Sequence, residues 1–450
     1  LKTTNYSKEV WAPELHHFDN RWYIYVAADD GKNDNHRMHV IASENESINS
    51  NFIYLGKLTD KSDKWAIDGS PFIFNGKMYY VWSGWDGDVN VQQPRDSIIT
   101  GSRLLYLHTP FGEELCSYCS FHRLRLDAPL AIKYHAALRR EMALYRQKGY
   151  RFSGIYVGGG TPTVLIDELA RTLQLARELF PVKSISAETN PNHLTDANIS
   201  ILKQAGVNRL SVGVQTFDDN LLKKTARYDK YGSGEEIADR LSRFMGRFDT
   251  LNADMIFNFP GQTPEMLEAD LAVILNLNMD QVTFYPLMIS DLTRDIMKKT
   301  MGNVDFSNEE RFYKLIVRRL EKNYDFSSAW CFSRKESLVD EYVVEFEEYA
   351  GLGSGAIGYL YGTCYSNTFD IEGYIASLEK GKLPLQASRK FDLHDRMSYD
   401  FLMKLFSTKL DIKAMQKKYD GKFLKTMWKE IAAFEIVRAY RYFDTSLYLT

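Results

Sequence analysis

Two cysteines with two residues between them, Cys116 and Cys119, close the run Tyr106-Leu-His-Thr-Pro-Phe-Gly112-Glu-Glu-Leu-Cys116-Ser-Tyr118-Cys119. Thiolates at this spacing hold iron or zinc, or form a redox pair. Taken alone, the pair fits half of a cluster site, a redox pair, half of a zinc site or a chance neighbourhood. A second candidate is Gly158-Gly159-Gly160-Thr161-Pro162. Three glycines let a ligand approach the backbone closely, where N–H and C=O groups can bind it; the plain alternative is a strand–helix turn. Polar side chains then recur at Glu188-Thr-Asn190, Gly213-Val-Gln215 and Asp254, and Arg227 can pair with a carboxylate. Each of these alone reads as helix capping or loop solvation, but together they need a scaffold that brings them to one place.

Such a scaffold is legible from residue 104 onward. Six apolar runs predict strands: Leu104–His108, Gly154–Val157, Ser184–Glu188, Arg209–Val214, Asn252–Phe257 and Gln281–Pro286. Helical patterns lie between them at 129–148, 166–179, 196–205, 235–247 and 265–277. Thr195 caps the third helix, and Thr263-Pro264-Glu265 supplies a cap, a first-turn proline and an acidic first turn to the fifth. Alternating strands and helices predict a parallel sheet with right-handed crossovers. Six units make a partial barrel whose site lies at the C-terminal strand ends, where the candidate residues fall. After about residue 300 the pattern is mainly helical and charged, with amphipathic helices at Asp395–Leu405 and Ile412–Tyr419.

Residues 1–93 differ. Short aromatic and β-branched runs predict an all-β piece, and Asn75-Gly76 between Pro71-Phe-Ile-Phe and Met78-Tyr-Tyr-Val predicts a tight hairpin. The domains are therefore expected at 1–93, 94–300 and 301–450.

Bulk properties narrow the function classes. The 450 residues are 44% hydrophobic and 26% charged, with a net charge of -3, which suits ordinary globular domains and no nucleic-acid partner. There is no apolar run long enough for a membrane span. Four cysteines, Cys116, Cys119, Cys331 and Cys364, are too few for a disulfide framework and point to metal or redox chemistry in a reducing compartment. The chain begins Leu1-Lys-Thr-Thr-Asn, with no Met and no apolar signal core, as a fragment would.

With these motifs in view, residues from about 102 to 450 resemble the radical S-adenosylmethionine (SAM) superfamily, and within it the oxygen-independent coproporphyrinogen III oxidase-like family. That superfamily carries Cys-x3-Cys-x2-Cys after a strand ending in His-x-Pro-Phe. The resemblance implies an α/β fold, a partial (β/α)6 TIM-like barrel with a mainly helical C-terminal domain. It also implies a [4Fe–4S] cluster that reduces SAM to a 5′-deoxyadenosyl radical. Cys116 and Cys119 match the second and third cluster ligands. The SAM contacts carry over to Tyr106, Tyr118, Gly159, Gly160, Thr161, Glu188, Gln215, Arg227 and Asp254. Gly112 stands where the first cysteine belongs and has no side-chain ligand atom, so weak cluster retention and impaired radical chemistry are expected, with Cys331 and Cys364 as candidates for rescue by proximity in the fold. Phe121 replaces a further cysteine of the coproporphyrinogen oxidases. Thr363-Cys-Tyr-Ser-Asn-Thr-Phe does not match the His-Asn-x-x-Tyr-Trp motif of the related haem chaperones, and haem-degrading methyltransferases of the group remain open. The Tyr349–Ala356 glycine-rich segment is similar to the family's own. Implied partners are a tetrapyrrole and an electron donor such as flavodoxin or ferredoxin, in the cytoplasm.

The front piece resembles family 43 glycoside hydrolases, five-bladed propellers that cut arabinan and xylan, through Trp11-Ala-Pro-Glu14-Leu, Ala66-Ile-Asp68-Gly-Ser-Pro-Phe and Trp82-Ser-Gly-Trp85. Asp68 matches the aspartate that orients the acid. The base aspartate and acid glutamate belong to other blades, and at ~40–50 residues per blade this piece makes about two. Trp82 and Trp85 are expected in a propeller core rather than on sugar. The expected protein is thus an impaired radical SAM protein joined to a hydrolase fragment. A carbohydrate-active fragment or a catalytically silent SAM or haem binder are the alternatives.

Overall fold

The computed structural model describes residues 8–59, 63–74, 77–85, 103–114, 116, 118–119, 122–289, 293–334, 342–436, 439–443 and 446–449. The chain divides into two compact units, Leu1–Gly101 and Ser102–Thr450.

In the first unit, strands β1 (Lys8–Phe18), β2 (Arg21–Asp29), β3 (Arg37–Ser43) and β4 (Phe52–Leu58) form an antiparallel sheet in chain order. Strands β5 (Trp65–Phe74) and β6 (Lys77–Trp85) pair separately, with Phe74 opposite Lys77. That register suits a two-residue hairpin connection, although Asn75 and Gly76 themselves lie outside the described residues. Ala27, Met38 and Ala66 form the core, and Tyr80 and Trp82 pack against it. At the β2–β3 end, Asp29 and His36 form a fully buried pair at 3.1 Å, with His36 stacked on Trp11 at 4.0 Å.

The second unit is built on a parallel sheet. Strands β7 (Arg103–Thr109), β10 (Gly154–Gly159), β11 (Ser184–Thr189), β12 (Arg209–Gln215), β13 (Thr250–Phe257) and β14 (Gln281–Pro286) lie side by side in chain order, all parallel. Between β7 and β10 come the two-residue strands β8 (Phe111–Gly112) and β9 (Leu124–Arg125). These six long strands are the six predicted runs, each extended by up to two residues at an end. Strand interiors such as Leu105, Ile155, Leu210, Ala253 and Phe284 are completely buried, which is why they read as unbroken apolar runs. The intervening helices are α1 (Ala128–Gln147), α2 (Ile166–Leu179), α3 (Asp196–Gln204), α4 (Asp219–Lys224), α5 (Tyr228–Tyr231), α6 (Gly234–Phe244) and α7 (Pro264–Leu277). Thr195 and Thr263 cap α3 and α7 by accepting from Asn198 N and Met266 N.

The last third of the chain lengthens this sheet as well as adding helices. At the β14 edge it supplies β15 (Asp325–Phe326) and β16 (Cys331–Ser333). Beside β7 it supplies β17 (Glu348–Leu352), parallel to β7, followed by the antiparallel β18 (Ile357–Leu360), β19 (Thr363–Asn367) and β20 (Leu385–Lys390). The expected amphipathic helices occur at Leu393–Phe406 and Ile412–Lys418. They enclose a separate core of Met397, Phe401, Leu410, Phe423, Met427 and Leu447. Among the described residues no helix is long and apolar enough to cross a membrane.

Candidate functional site

Three consecutive strand ends build the site. After β7, the chain passes Pro110 and forms β8, which pairs in parallel with β9 and closes the loop between them. Backbone bonds from Leu124 N to Pro110 O (2.6 Å) and Leu126 N to Gly112 O (2.8 Å) seal its base. Inside, the Arg123 guanidinium donates to the carbonyls of Cys116 and, at 2.8 Å, Cys119. Arg227, between α4 and α5, points a second guanidinium at the loop. Its Nη1 lies 3.6 Å from Cys116 Sγ, its Nη2 donates to Gly213 O, and the group sits 4.3 Å above the Tyr231 ring.

The charges fit one another. Burial opposes ionisation of Cys116, but the adjacent Arg227 and hydrogen bonds from Arg227 and Tyr118 outweigh it and hold the thiol below its ordinary pKa. Burial also opposes the charge on Arg227, yet Tyr118 and Cys116 drive its pKa upward. Tyr118 is buried against Phe259, and burial lifts its hydroxyl well above the usual range. The Arg227 Nε is buried without a hydrogen-bond partner.

The glycine turn after β10 docks directly on this loop. Gly160 N donates to Thr109 O at 2.8 Å, and Thr161 N to Phe111 O at 2.7 Å. A side chain would not fit here. A Cβ on Gly158 would fall 2.6 Å from Glu188 Oε1, and one on Gly159 2.7 Å from Thr109 O; Gly159 also has φ +120°. The Gly159 amide donates to Glu188 Oε2 at 3.2 Å, so β11 joins the same corner. Gly112 is different. A Cβ there would meet Glu114 O at 3.4 Å and Thr161 Oγ1 at 3.7 Å, ordinary contacts.

The remaining predicted residues surround this corner. Asn190 Nδ2 donates to Thr161 Oγ1 at 2.8 Å. Gln215 ends β12 at φ +75°, a strained conformation for a residue other than glycine. Asp254 lies opposite Gly213 in the β12–β13 register and accepts from Ser211 (2.7 Å) and Asn252 (2.8 Å). Tyr106 stacks on Tyr342 at 5.0 Å, its hydroxyl 2.9 Å from His108 Nδ1. Burial, with the nearby Glu188 charge, raises the Tyr106 pKa well above its usual value. Asp68 belongs to β5 of the first unit, and its side chain is outside the described set; so is Phe121. Cys331 on β16 and Cys364 on β19 belong to opposite flanks of the sheet.

Several residues here were not anticipated. His108 is buried and its pKa falls to about 4, chiefly from burial. Its Nε2 faces the His122 carbonyl at 2.9 Å, so that nitrogen carries the proton and Nδ1 accepts from Tyr106. His122 Nε2 in turn lies 3.2 Å from Ser354 Oγ, which ties the cysteine loop to the glycine-rich segment of the last third. Glu113, next to Gly112, pairs with Lys230 at 2.7 Å and accepts from Asn192 at 3.2 Å. A cavity of about 460 Å³ adjoins them, lined among others by Glu113, Glu114, Cys116, Asp229 and Lys230. Glu141 of α1, fully buried, accepts from Gly353 N (2.9 Å), Asn367 Nδ2 (2.9 Å) and the Tyr374 hydroxyl (2.6 Å). Only the His-x-Pro-Phe context of His108 offered a signal in the sequence. The other pairings join residues far apart along the chain.

The donors can be weighed against the implied cofactors. For SAM the fit rests on Glu188 and on a buried guanidinium with a spare N–H; the glycine turn brings them together, its amides at 159–161 being spent on Glu188, Thr109 and Phe111. For a cluster held by three thiolates they do not fit. Gly112 brings no ligand atom, Glu113 is committed to Lys230, and Glu114 is exposed and paired with Arg125 at 3.2 Å. Among the described residues no group of three His, Cys, Asp or Glu side chains is disposed to hold a metal ion.

Residues 106–274 match the radical SAM superfamily, and residues 2–105 match glycosyl hydrolases family 43. The heme chaperone HemW of Bacillus subtilis is 30% identical over 317 residues, covering 67% of this chain and 83% of that protein. The oxygen-independent coproporphyrinogen III oxidase of Helicobacter pylori is 26% identical, over 73% of this chain and 77% of its own. The solved coproporphyrinogen III oxidase (HemN) of Escherichia coli, described as a radical SAM enzyme, superposes with a TM-score of 0.66 at 21% identity. That match covers 78% of this chain and 87% of HemN.

Proposed function

Because this chain belongs to the radical SAM group that holds the heme chaperone HemW and the oxygen-independent coproporphyrinogen III oxidases, we propose that it is a SAM-binding protein of tetrapyrrole chemistry, impaired at Gly112. One observation carries the reading. The cysteine loop and the glycine turn form a single hydrogen-bonded corner through Thr161 N and Phe111 O at 2.7 Å, which brings the two motifs side by side. In this superfamily a [4Fe–4S] cluster and SAM together supply the radical chemistry.

The chain's own residues take the following parts. Gly158, Gly159 and Gly160 admit the amino-acid end of SAM to the backbone. Arg227 pairs with its carboxylate, and Glu188 and Asp254 accept from its ammonium or ribose hydroxyls. Tyr106, steered by His108, closes the side toward β17, and Gln215 and Tyr118 complete the wall. Cys116 and Cys119 are the two thiolates. With the third position at Gly112, cluster retention is weak and reductive cleavage of SAM is greatly slowed. A tetrapyrrole is the substrate class, a flavodoxin- or ferredoxin-like protein the electron donor, and the cytoplasm the setting. A division near residue 93 belongs to this reading, while the residues after 300 share one sheet and one compact unit with the barrel strands.

Anaerobic reconstitution tests it. The expected result is calorimetric SAM binding with low iron per chain and little methionine release. Full cluster loading and rapid SAM cleavage by this sequence would overturn the impairment.

The family 43 match over residues 2–105 supports a second, narrower reading of the first unit. It is a propeller fragment, in which β1–β4 correspond to one blade and Asp68 is a remnant without its acid and base. Hydrolysis of arabinan or xylan by the full chain would refute this.

A further inference from the structure

We infer that Ser354 and His122 are positioning residues of the SAM site, holding the Tyr106 hydroxyl so that its oxygen meets a ligand only as an acceptor. The inference rests on the proposed reading of this corner as a SAM-binding site. Four hydrogen bonds in series connect Thr368 to Tyr106, and each has a fixed direction. Ser354 Oγ donates to the Thr368 carbonyl at 2.9 Å. A carbonyl only accepts, so the Ser354 proton is committed there and its oxygen accepts from His122 Nε2 at 3.2 Å. The His122 carbonyl in turn faces His108 Nε2 at 2.9 Å, which places the His108 proton on that nitrogen. Burial keeps His108 neutral, with its pKa at about 4, so Nδ1 offers a lone pair. Tyr106 therefore donates to it, across 2.9 Å. With its one proton spent, the Tyr106 oxygen has only lone pairs left for a ligand.

The last third of the chain builds this relay. β17 runs parallel to β7, with Gly351 opposite Tyr106 and Leu352 opposite Leu107, so the turn after β17 arrives beside His108. The approach is close. A Cβ on Gly353 would lie 2.5 Å from His108 O, and Gly353 has φ +106°. Tyr134 of α1 bridges the two strand ends, donating to His108 O and accepting from Ser354 N, both at 2.8 Å. Glu141 holds Gly353 N at 2.9 Å. Ser354 is completely buried, and stacking on Tyr342 at 5.0 Å orients the Tyr106 ring. Selectivity follows from the polarity. An acceptor at Tyr106, with the Glu188 charge nearby, favours an N–H or O–H group of the ligand. A carboxylate, which only accepts, finds no partner there.

The test uses the full-length protein, with SAM affinity read by calorimetry and folding by circular dichroism. Tyr106→Phe removes the acceptor and should weaken SAM binding about three- to tenfold, the scale of one hydrogen bond. Ser354→Ala cuts the relay at its far end. His122→Phe cuts it while keeping a ring against Phe369, which His122 meets edge-on at 5.2 Å. Each should weaken binding roughly two- to fivefold. The double variants decide between positioning and mere support. Added to Tyr106→Phe, either change should cost no further affinity, because the relay acts through that one hydroxyl; a purely structural role would multiply the losses. If Ser354→Ala does not fold, His122→Phe and Tyr106→Phe complete the cycle by themselves. Multiplied losses overturn the relay and leave the parent reading intact. So does wild-type affinity in Tyr106→Phe, or in both His122→Phe and Ser354→Ala. Wild-type protein that binds no SAM overturns the parent reading and the relay together.

Discussion

Restoring a thiol at position 112 is the most direct perturbation, and its cost can be worked from the contacts. The added Cβ meets a backbone oxygen at 3.4 Å and a threonine hydroxyl at 3.7 Å, so no overpacking penalty of the usual ~1–3 kcal/mol applies. Gly112 is not among the positive-φ residues, so a side chain adds no backbone strain. Replacing glycine at a compatible position removes unfolded-state freedom and contributes about 0.4–1 kcal/mol of stability. The sum is neutral to slightly stabilising, which for a unit of this size moves the melting temperature by roughly 2–4 °C at most. Against that small change in fold, the chemistry should change greatly, because a third thiolate completes the donor set. Gly112→Cys should therefore melt like the wild type by circular dichroism, while iron per chain and SAM cleavage rise together after anaerobic reconstitution. A variant that melts normally and gains no iron would refute the argument, since the fold could not be blamed. A variant that melts far below the wild type would refute the steric reasoning instead.

Other outcomes follow from the same geometry. Gly159→Ala should abolish SAM binding by calorimetry and destabilise the fold, because its Cβ would sit 2.7 Å from Thr109 O at φ +120°. Arg227→Met should weaken SAM binding at least tenfold, about the ~1.4 kcal/mol or more expected for a lost charge-assisted pair; unchanged affinity would remove Arg227 from the site. Burial lifts the Glu141 pKa from 4.5 to about 7. The folded protein then keeps a proton between those values that the unfolded chain releases. Stability from this group is greatest below pH 4.5 and falls as pH rises through 7, by about 3 kcal/mol at ~1.4 kcal/mol per unit. Urea titrations from pH 4.5 to 8 should show wild type losing that much relative to Glu141→Gln, and parallel curves would refute the shift.

The sheet of the second unit was largely readable because its strands are buried on both faces and punctuated by capped helices. Thr195 and Thr263 mark helix starts that the hydrogen bonds bear out. The corner itself was readable only in pieces. The sequence places Gly158–Thr161 after one strand and Cys116 after another, but nothing in it states that Thr161 N meets Phe111 O. That pairing is a consequence of the β7–β10 register. Harder still were partners separated by two hundred residues or more. Arg103 meets Glu348 at 2.5 Å, and Glu141 meets Asn367 and Tyr374, because β17 lies parallel to β7. A strand arriving from so far down the chain has no local pattern announcing its neighbour. The pairings around Glu113 escaped for another reason: charged loop residues ordinarily face water, and only the fold reveals that Lys230 and Asn192 are within reach.

The way the cysteine loop is held explains how it keeps its shape with no ligating side chain at Gly112. Sites whose fold depends on a metal collapse when a ligand is removed, because binding energy is folding energy. Here the loop is closed by the β8–β9 bridge, by Arg123 on two of its carbonyls and by the backbone bonds at its base. Arg227 supplies a positive charge to Cys116 directly, so the thiol is compensated by the protein itself. Glycine at position 112 therefore leaves the loop without a donor there but with its supports in place. The glycine turn at Gly158–Gly160 is packed on Glu188 and Thr109, not on the cysteines, and so on the proposed reading SAM binding is expected to be separable from cluster binding. A titration of SAM into protein stripped of iron measures that separation. Affinity that survives in Cys116→Ser places the binding energy in the glycine corner, and affinity that vanishes there returns it to the thiolates.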